Sequence, residues 1–374
     1  MHNKLTLRDF ALALALILIC GFFAAASPLF LSSRNLSLLM VDLSITATLA
    51  IGMLLVILPG HIDLSVGSGV GLIGGVAAVL ITNHHWPAAA AMGAALVVAL
   101  GLWFAMGSFI VREKMPAFII TLGGMLIFKG LFWKVINSHT VPVVAGGQSN
   151  LLSMLTTFYL PAGWGYFLAG VAVAALVWAK IRSNRGRRAH GLEAEDGELA
   201  ILKLFLAAQL LFLFVIITNQ FRGVPFPVLI LTFVALTAWV LTRHTPFGRY
   251  LYAIGGNEEA AIISGVPVKK VTVAAFVLMG AIVAVVGMMQ TAYGGASTTT
   301  VGDLMELDAV AACVIGGVSL KGGRGTVLGV LFGALIMACL INGMSLMTVE
   351  PENKYIARGI VLILAVWMDV RLAK

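Results

Sequence analysis

Long apolar runs separated by short polar breaks fill most of the chain. The runs lie at about 10–31, 37–58, 64–82, 88–111, 117–136, 162–181, 200–219, 225–242, 271–291, 305–320, 325–343 and 355–370. Most approach the ~20 apolar residues that a helix needs to cross a bilayer core. Several are short or interrupted by glycine, which predicts that some pairs form broken or re-entrant helices. The pattern therefore predicts an all-α polytopic integral membrane protein with about 10–12 transmembrane or broken membrane helices, forming one transmembrane domain over 1–374.

Two breaks stand out by their chemistry. Residues 182–199 (RSNRGRRAHGLEAEDGEL) place a basic run before an acidic one and read as a solvated, charged loop. Residues 243–270 carry a short helical pattern of their own. Gly255-Gly256-Asn257 offers a turn and an N-cap, and Glu258 and Glu259 follow where the helix dipole favours acids. Ala260, Ala261, Ile262 and Ile263 continue the pattern, while Ser264, Gly265 and Pro267 close it. A capped helix in a membrane protein's loop reads as a docking element.

Composition sharpens the picture. Hydrophobic residues make up 60% and charged residues 11% of 374 positions. A soluble domain is about 45–50% apolar and about 25% charged, so a soluble enzyme, a disordered scaffold and a disulfide-stapled module are excluded. The net charge of +8 does not signal nucleic acid, because the basic residues sit between apolar runs. All but Arg34, Lys129, Lys134, Arg222, Lys354 and Arg358 fall in alternate breaks. The positive-inside rule then predicts that both termini are cytoplasmic. Lys4 and Arg8 before the first run, with Ala24-Ala25-Ala26-Ser27 after it, resemble a signal peptide. The length of that run, and the many that follow, favour a retained first helix.

Candidate chemistry is sparse. Cys20, Cys313 and Cys339 lie inside apolar runs without metal-ligand spacing, and the seven histidines form no HExxH cluster. His84-His85-Trp86-Pro87 reads as an interfacial anchor. No metal or catalytic residue is assigned. Gly69–Gly74 fits GxGxxG but has no strand before it, and Lys321–Thr326 lacks the phosphate-loop spacing. The chain has no Walker A motif, so it does not itself hydrolyse ATP by P-loop chemistry. Gly67, Gly71 and Gly75, and Gly329 and Gly333, form small-xxx-small ladders for close helix packing.

Ionisable groups at membrane depth cost roughly 2.5–3.5 kcal/mol each on insertion scales, so they are functional candidates. Asp63 follows a Pro59-Gly60 break and is expected to cap a helix starting at Leu64, with a gate or pathway role as the alternative. His61, Asp63, Ser65 and Asn342 are the pathway candidates, and Asn342 also suits a hydrogen bond between helices. Asp42, Glu306 and Asp308 are weaker candidates. The small number of deep charges argues against proton coupling.

Three segments in order carry a family resemblance. They are Gly60-His61-Ile62-Asp63-Leu64-Ser65-Val66-Gly67-Ser68, then Ala253–Ala261 with Ser264-Gly265-Val266, and then Glu306–Leu320 continued by Gly322-Gly323. Together they resemble the membrane subunits of bacterial monosaccharide importers of the ATP-binding cassette class, over nearly the whole chain. Arg222–Leu229, Asn342–Met347 and Ala365–Asp369 look most like the D-xylose permease subgroup. The pattern departs at His61, where many relatives carry an acid or another polar residue. The resemblance implies a type II importer fold in the bacterial inner membrane and a homodimer. It also implies a cytoplasmic ATPase subunit that holds ATP and Mg, a periplasmic sugar-binding protein and a monosaccharide substrate. No cofactor is expected on this chain. The coupling element to the ATPase would be Gly255, Gly256, Asn257, Glu258, Glu259, Ala260, Ala261, Ser264 and Gly265. A secondary sugar transporter without an ATPase is the first rival, and a membrane-embedded enzyme the second.

Overall fold

The computed structural model describes residues 7–144, 147–189 and 197–372. Lys4, Lys374 and positions 190–196 of the 182–199 segment lie outside the described residues. The order begins α1 (Leu7–Ala26), α2 (Ser33–Ile57), α3 (Val66–Thr82), α4 (Ala88–Glu113) and α5 (Ala117–Val135). It continues with β1 (Val141–Pro142), α6 (Leu151–Thr157), β2 (Tyr159–Leu160), α7 (Ala162–Ala189), α8 (Gly197–Asn219), β3 (Val224–Pro225) and α9 (Phe226–His244). Next come α10 (Pro246–Gly256), α11 (Glu258–Ile263), α12 (Val268–Tyr293) and β4 (Ala296–Ser297). The last three helices are α13 (Met305–Ile315), α14 (Val327–Leu346) and α15 (Pro351–Leu372).

Eight of these helices are long and apolar enough to cross a membrane, and α3 and most of α1 are shorter apolar helices. The expected polytopic helical class is therefore present. The run at 305–320 is helical only to Ile315, because Gly316 and Gly317 (φ 94°) turn the chain, leaving α13 a half-crossing of the broken kind expected. Two expectations need correction. The charged segment 182–199 is not all loop: residues 182–189 continue α7. At about 1.5 Å per residue a helix of 28 residues outruns the hydrocarbon core, so its basic end projects beyond it. Residues 243–270 are mostly helix, divided among the end of α9, α10, α11 and the start of α12.

Loop contacts sort the helix ends into two opposite sets. In one, β1 pairs with β4, β2 pairs with β3, and the Thr82 hydroxyl donates to Pro142 O at 2.6 Å. In the other, Gly323 N donates to Leu58 O at 2.9 Å, and the Tyr252 hydroxyl to Gly325 O at 2.8 Å. The helices run between the two sets as membrane crossings must.

The centre is built from α2, α3, α12, α13 and α14, with α4 and α5 beside α3. Glycines let this group close. A Cβ at Gly74 would strike Gly287 of α12, one at Gly75 would strike Phe132 of α5, and one at Gly69 would strike Trp103 of α4. The Gly329–Gly333 ladder lies directly on the α13 backbone at Gly316 and Ala312. Backbones can approach this closely only where no side chain intervenes.

Candidate functional site

The first and third signature segments and the 253–266 segment, far apart in sequence, meet at one end of the bundle. Asn257 is the N-cap of α11, and its side chain accepts from Ala260 N at 2.9 Å. Glu258 and Glu259 occupy the first turn, and Gly265 closes the segment with φ 79°. These details match the expected capped helix, but α11 itself spans only Glu258–Ile263. Gly255 and Gly256, expected to turn, instead form the last turn of α10. The reason is proximity: a Cβ at Gly255 would collide with the Leu58 carbonyl and with the Gly322–Gly323 backbone. Gly322 and Gly323 adopt positive φ (88° and 71°) to make that approach. The end of α2, the end of α10 and the α13–α14 loop thus touch backbone to backbone.

The outward side of α11 is different. Asn257, Glu258, Glu259, Ala260 and Ser264 are exposed, and Ala261 is buried against the body. Ile262 and Ile263 are 57% and 87% exposed. A polar rim around an uncovered apolar tip is the composition of a docking surface. Beside it lies a cavity of about 690 Å³ lined by His61, Lys114, Glu258, Lys269 and Lys270. His61 stacks near Phe276, with ring centroids 6.2 Å apart. Burial pushes its imidazole below the usual histidine range, while the Glu258 carboxylate opposes that shift.

Asp63 is fully buried. One carboxylate oxygen accepts from Ser65 N at 2.9 Å and from the Ser65 hydroxyl at 2.6 Å, and the other accepts from Trp103 Nε1 at 2.7 Å. The helix begins at Val66 rather than Leu64, with Ser65 at its N-cap position. Asp63 therefore holds the cap residue and ties it to α4 instead of capping the helix directly. The Thr121 hydroxyl donates to Ile62 O at 3.1 Å and attaches the same break to α5. Asn342 pairs with Asn35 of α2 through reciprocal amide bonds of 2.9 and 3.1 Å. Asp42 meets the Tyr293 hydroxyl, and Asp308 meets Arg358 Nε at 3.4 Å.

Two partners were not legible in the sequence. Trp103 lies well inside a span, although tryptophan favours the membrane interface; that displacement was the available signal for the Asp63 contact. Lys129, placed simply among the exceptions to the charge rule, binds Asp303 and Thr299 O, the latter at 2.8 Å.

Apolar crossings, a half-helix, glycine-closed packing and an exposed capped loop helix together define a polytopic membrane permease. Residues 35–366 match the family described as "Branched-chain amino acid transport system / permease component". The chain belongs to that family. It is 40% identical to the xylose transport system permease protein XylH of Escherichia coli K12, over 98% of this chain and 93% of that protein. The XylH of Haemophilus influenzae is 40% identical over 98% of this chain and 97% of its own length. The ribose import permease protein RbsC of E. coli K12 is 32% identical over 95% and 92%. No solved structure is significantly similar to the chain.

Proposed function

We propose that the chain is the permease subunit of an ATP-driven monosaccharide importer, with D-xylose the first sugar to test and ribose the second. The observation that carries this reading is α11: exposed, capped, apolar at its tip and seated on α10, whose end lies against α2 and the α13–α14 loop. A separate ATPase subunit docks there, so that nucleotide-driven movement enters the membrane helices through Gly255. A soluble binding protein delivers sugar at the opposite end, and two copies of the chain surround the path. The α11 end carries Lys114, Arg243, Arg249, Lys269, Lys270, Lys321 and Arg324, which supports a cytoplasmic assignment by the positive-inside rule. The full-length likeness to two sugar permeases supports the substrate class.

The test is gentle purification from membranes with mass spectrometry of what stays bound, followed by uptake in Glu258→Arg. The expected result is an ATPase subunit recovered with the wild type and lost with the variant, together with loss of xylose uptake while the variant still inserts. Wild-type uptake by Glu258→Arg would sink the docking assignment. Recovery of the chain alone, with uptake intact in its proteoliposomes, would favour a secondary transporter.

A further inference from the structure

Charged side chains in a membrane bundle must be paired or face water, and this chain gathers five along one groove. The groove runs between α5 and α15 and is floored by α13 and by residues 298–304. One part is a cavity of about 320 Å³ lined by Ser68, Lys129, Asp303, Glu306 and Tyr355. It continues as a narrower space past Asp308 and Arg358, with Tyr355 lining both parts. Lys129 is held by Asp303 and Thr299 O, and Asp308 pairs with Arg358.

Glu306 forms no such ion pair among the described residues. It is 8% exposed, faces the cavity, and lies over Gly67, where a Cβ would take the place of its carboxylate. Among the described residues no other side chain donates a hydrogen bond to its carboxylate, and Lys129, held by Asp303, acts on it only through its charge. A wall facing lipid would set this acid against hydrocarbon, and a dry protein contact would leave it without a donor. Water or a hydroxyl-rich ligand satisfies it. Lys129 and Asp303 cancel each other's charge, so Glu306 is the group left to offer hydrogen bonds, which suits a neutral polyol better than an organic acid. Tyr355, 54% exposed, offers a ring for the C–H face of a sugar.

We propose that this groove is the sugar-contacting wall of the translocation path, with Glu306 as its principal hydrogen-bond acceptor and Lys129–Asp303 fixing the 298–304 strap beside it. This rests on the importer reading. Two readouts test it on the full chain in membranes. Single cysteines Leu126→Cys and Tyr355→Cys are treated with a charged, membrane-impermeant thiol reagent, with Phe233→Cys on the exposed face of α9 for comparison and the unaltered chain as background. The groove positions are expected to react at least tenfold faster than Phe233→Cys. Equally slow reaction at all three would mean a lipid-facing or dry groove and overturn the proposal. Glu306→Ala is expected to lower xylose uptake tenfold or more, and Glu306→Gln, which keeps an acceptor, to retain a larger share, with ATPase association unchanged in both. Unchanged uptake in Glu306→Ala would also overturn it. If Glu306→Ala fails to assemble, the labelling result decides. Absence of an ATPase from the wild type would sink the importer reading alone, because the labelling needs no partner.

Discussion

Helices α2 and α7 are both long and apolar enough to cross a membrane, and unlike in the fold. The most apolar stretch of α2 is 78% buried inside the protein, and that of α7 only 11%. The difference lies in weakly polar side chains and in where small ones meet a neighbour, since α7 has glycines and alanines of its own but Gly163 and Gly170 meet nothing within 4 Å. α2 buries Ser37, Ser44 and Thr48, and the hydroxyls of Ser44 and Thr48 return to their own helix at 2.6 Å. Its Gly52 admits Met279 and Ile282 of α12. α7 instead turns out Trp164, Phe167 and Trp178. In a membrane greasy residues gain little by leaving lipid, so packing sorts helices by closeness of approach rather than by hydrophobicity.

The sharpest way to break that contrast is to add bulk at the centre. Gly302→Val combines a φ of 87° with a collision against the Gly67 carbonyl. It is expected to destabilise by roughly 4 kcal/mol, as overpacking and backbone strain add. Thermal unfolding in detergent reads this, and a wild-type melting curve would contradict the packing described. Trp103→Phe removes one of the donors to buried Asp63 and should cost about 2 kcal/mol; a loss under half of that would show the carboxylate reaching water. For Asn35 and Asn342, a double-mutant cycle to alanine should return a coupling of about 0.6–1.7 kcal/mol, and strict additivity would dissolve the pair. The smallest effect is expected in the periphery. Gly170→Ala in α7 meets nothing within 4 Å and should shift stability by less than about 1 kcal/mol, toward greater stability. A marked loss there would mean that Gly170 has a close neighbour after all.

These contrasts also mark what could be read in advance. The crossings were legible because burial in lipid needs only length and apolarity. The Asn257 cap was legible because its partner Ala260 is three residues away. Features set at a distance were not. Residues 182–189 look like a linker by charge, yet backbone hydrogen bonding carries α7 through them. Asp63 reads as a helix cap until Trp103, 40 positions later in the chain, is brought against it. The deep charges looked few and unrelated; folding placed Lys129, Asp303, Glu306, Asp308 and Arg358 along one groove.

The contact of Gly255 with Leu58 and Gly322–Gly323 has a mechanical meaning. Side chains meeting across an interface can absorb a displacement by rotating about their χ angles, as a soft gasket does. Here main chain rests on main chain, and the carbonyl of Leu58 is hydrogen-bonded to Gly323 N at 2.9 Å. No freely turning bond lies between the parts, so a shift of α10 too small to repack a core would still move the end of α2 and the loop that carries α13 into α14. The joint has almost no backlash.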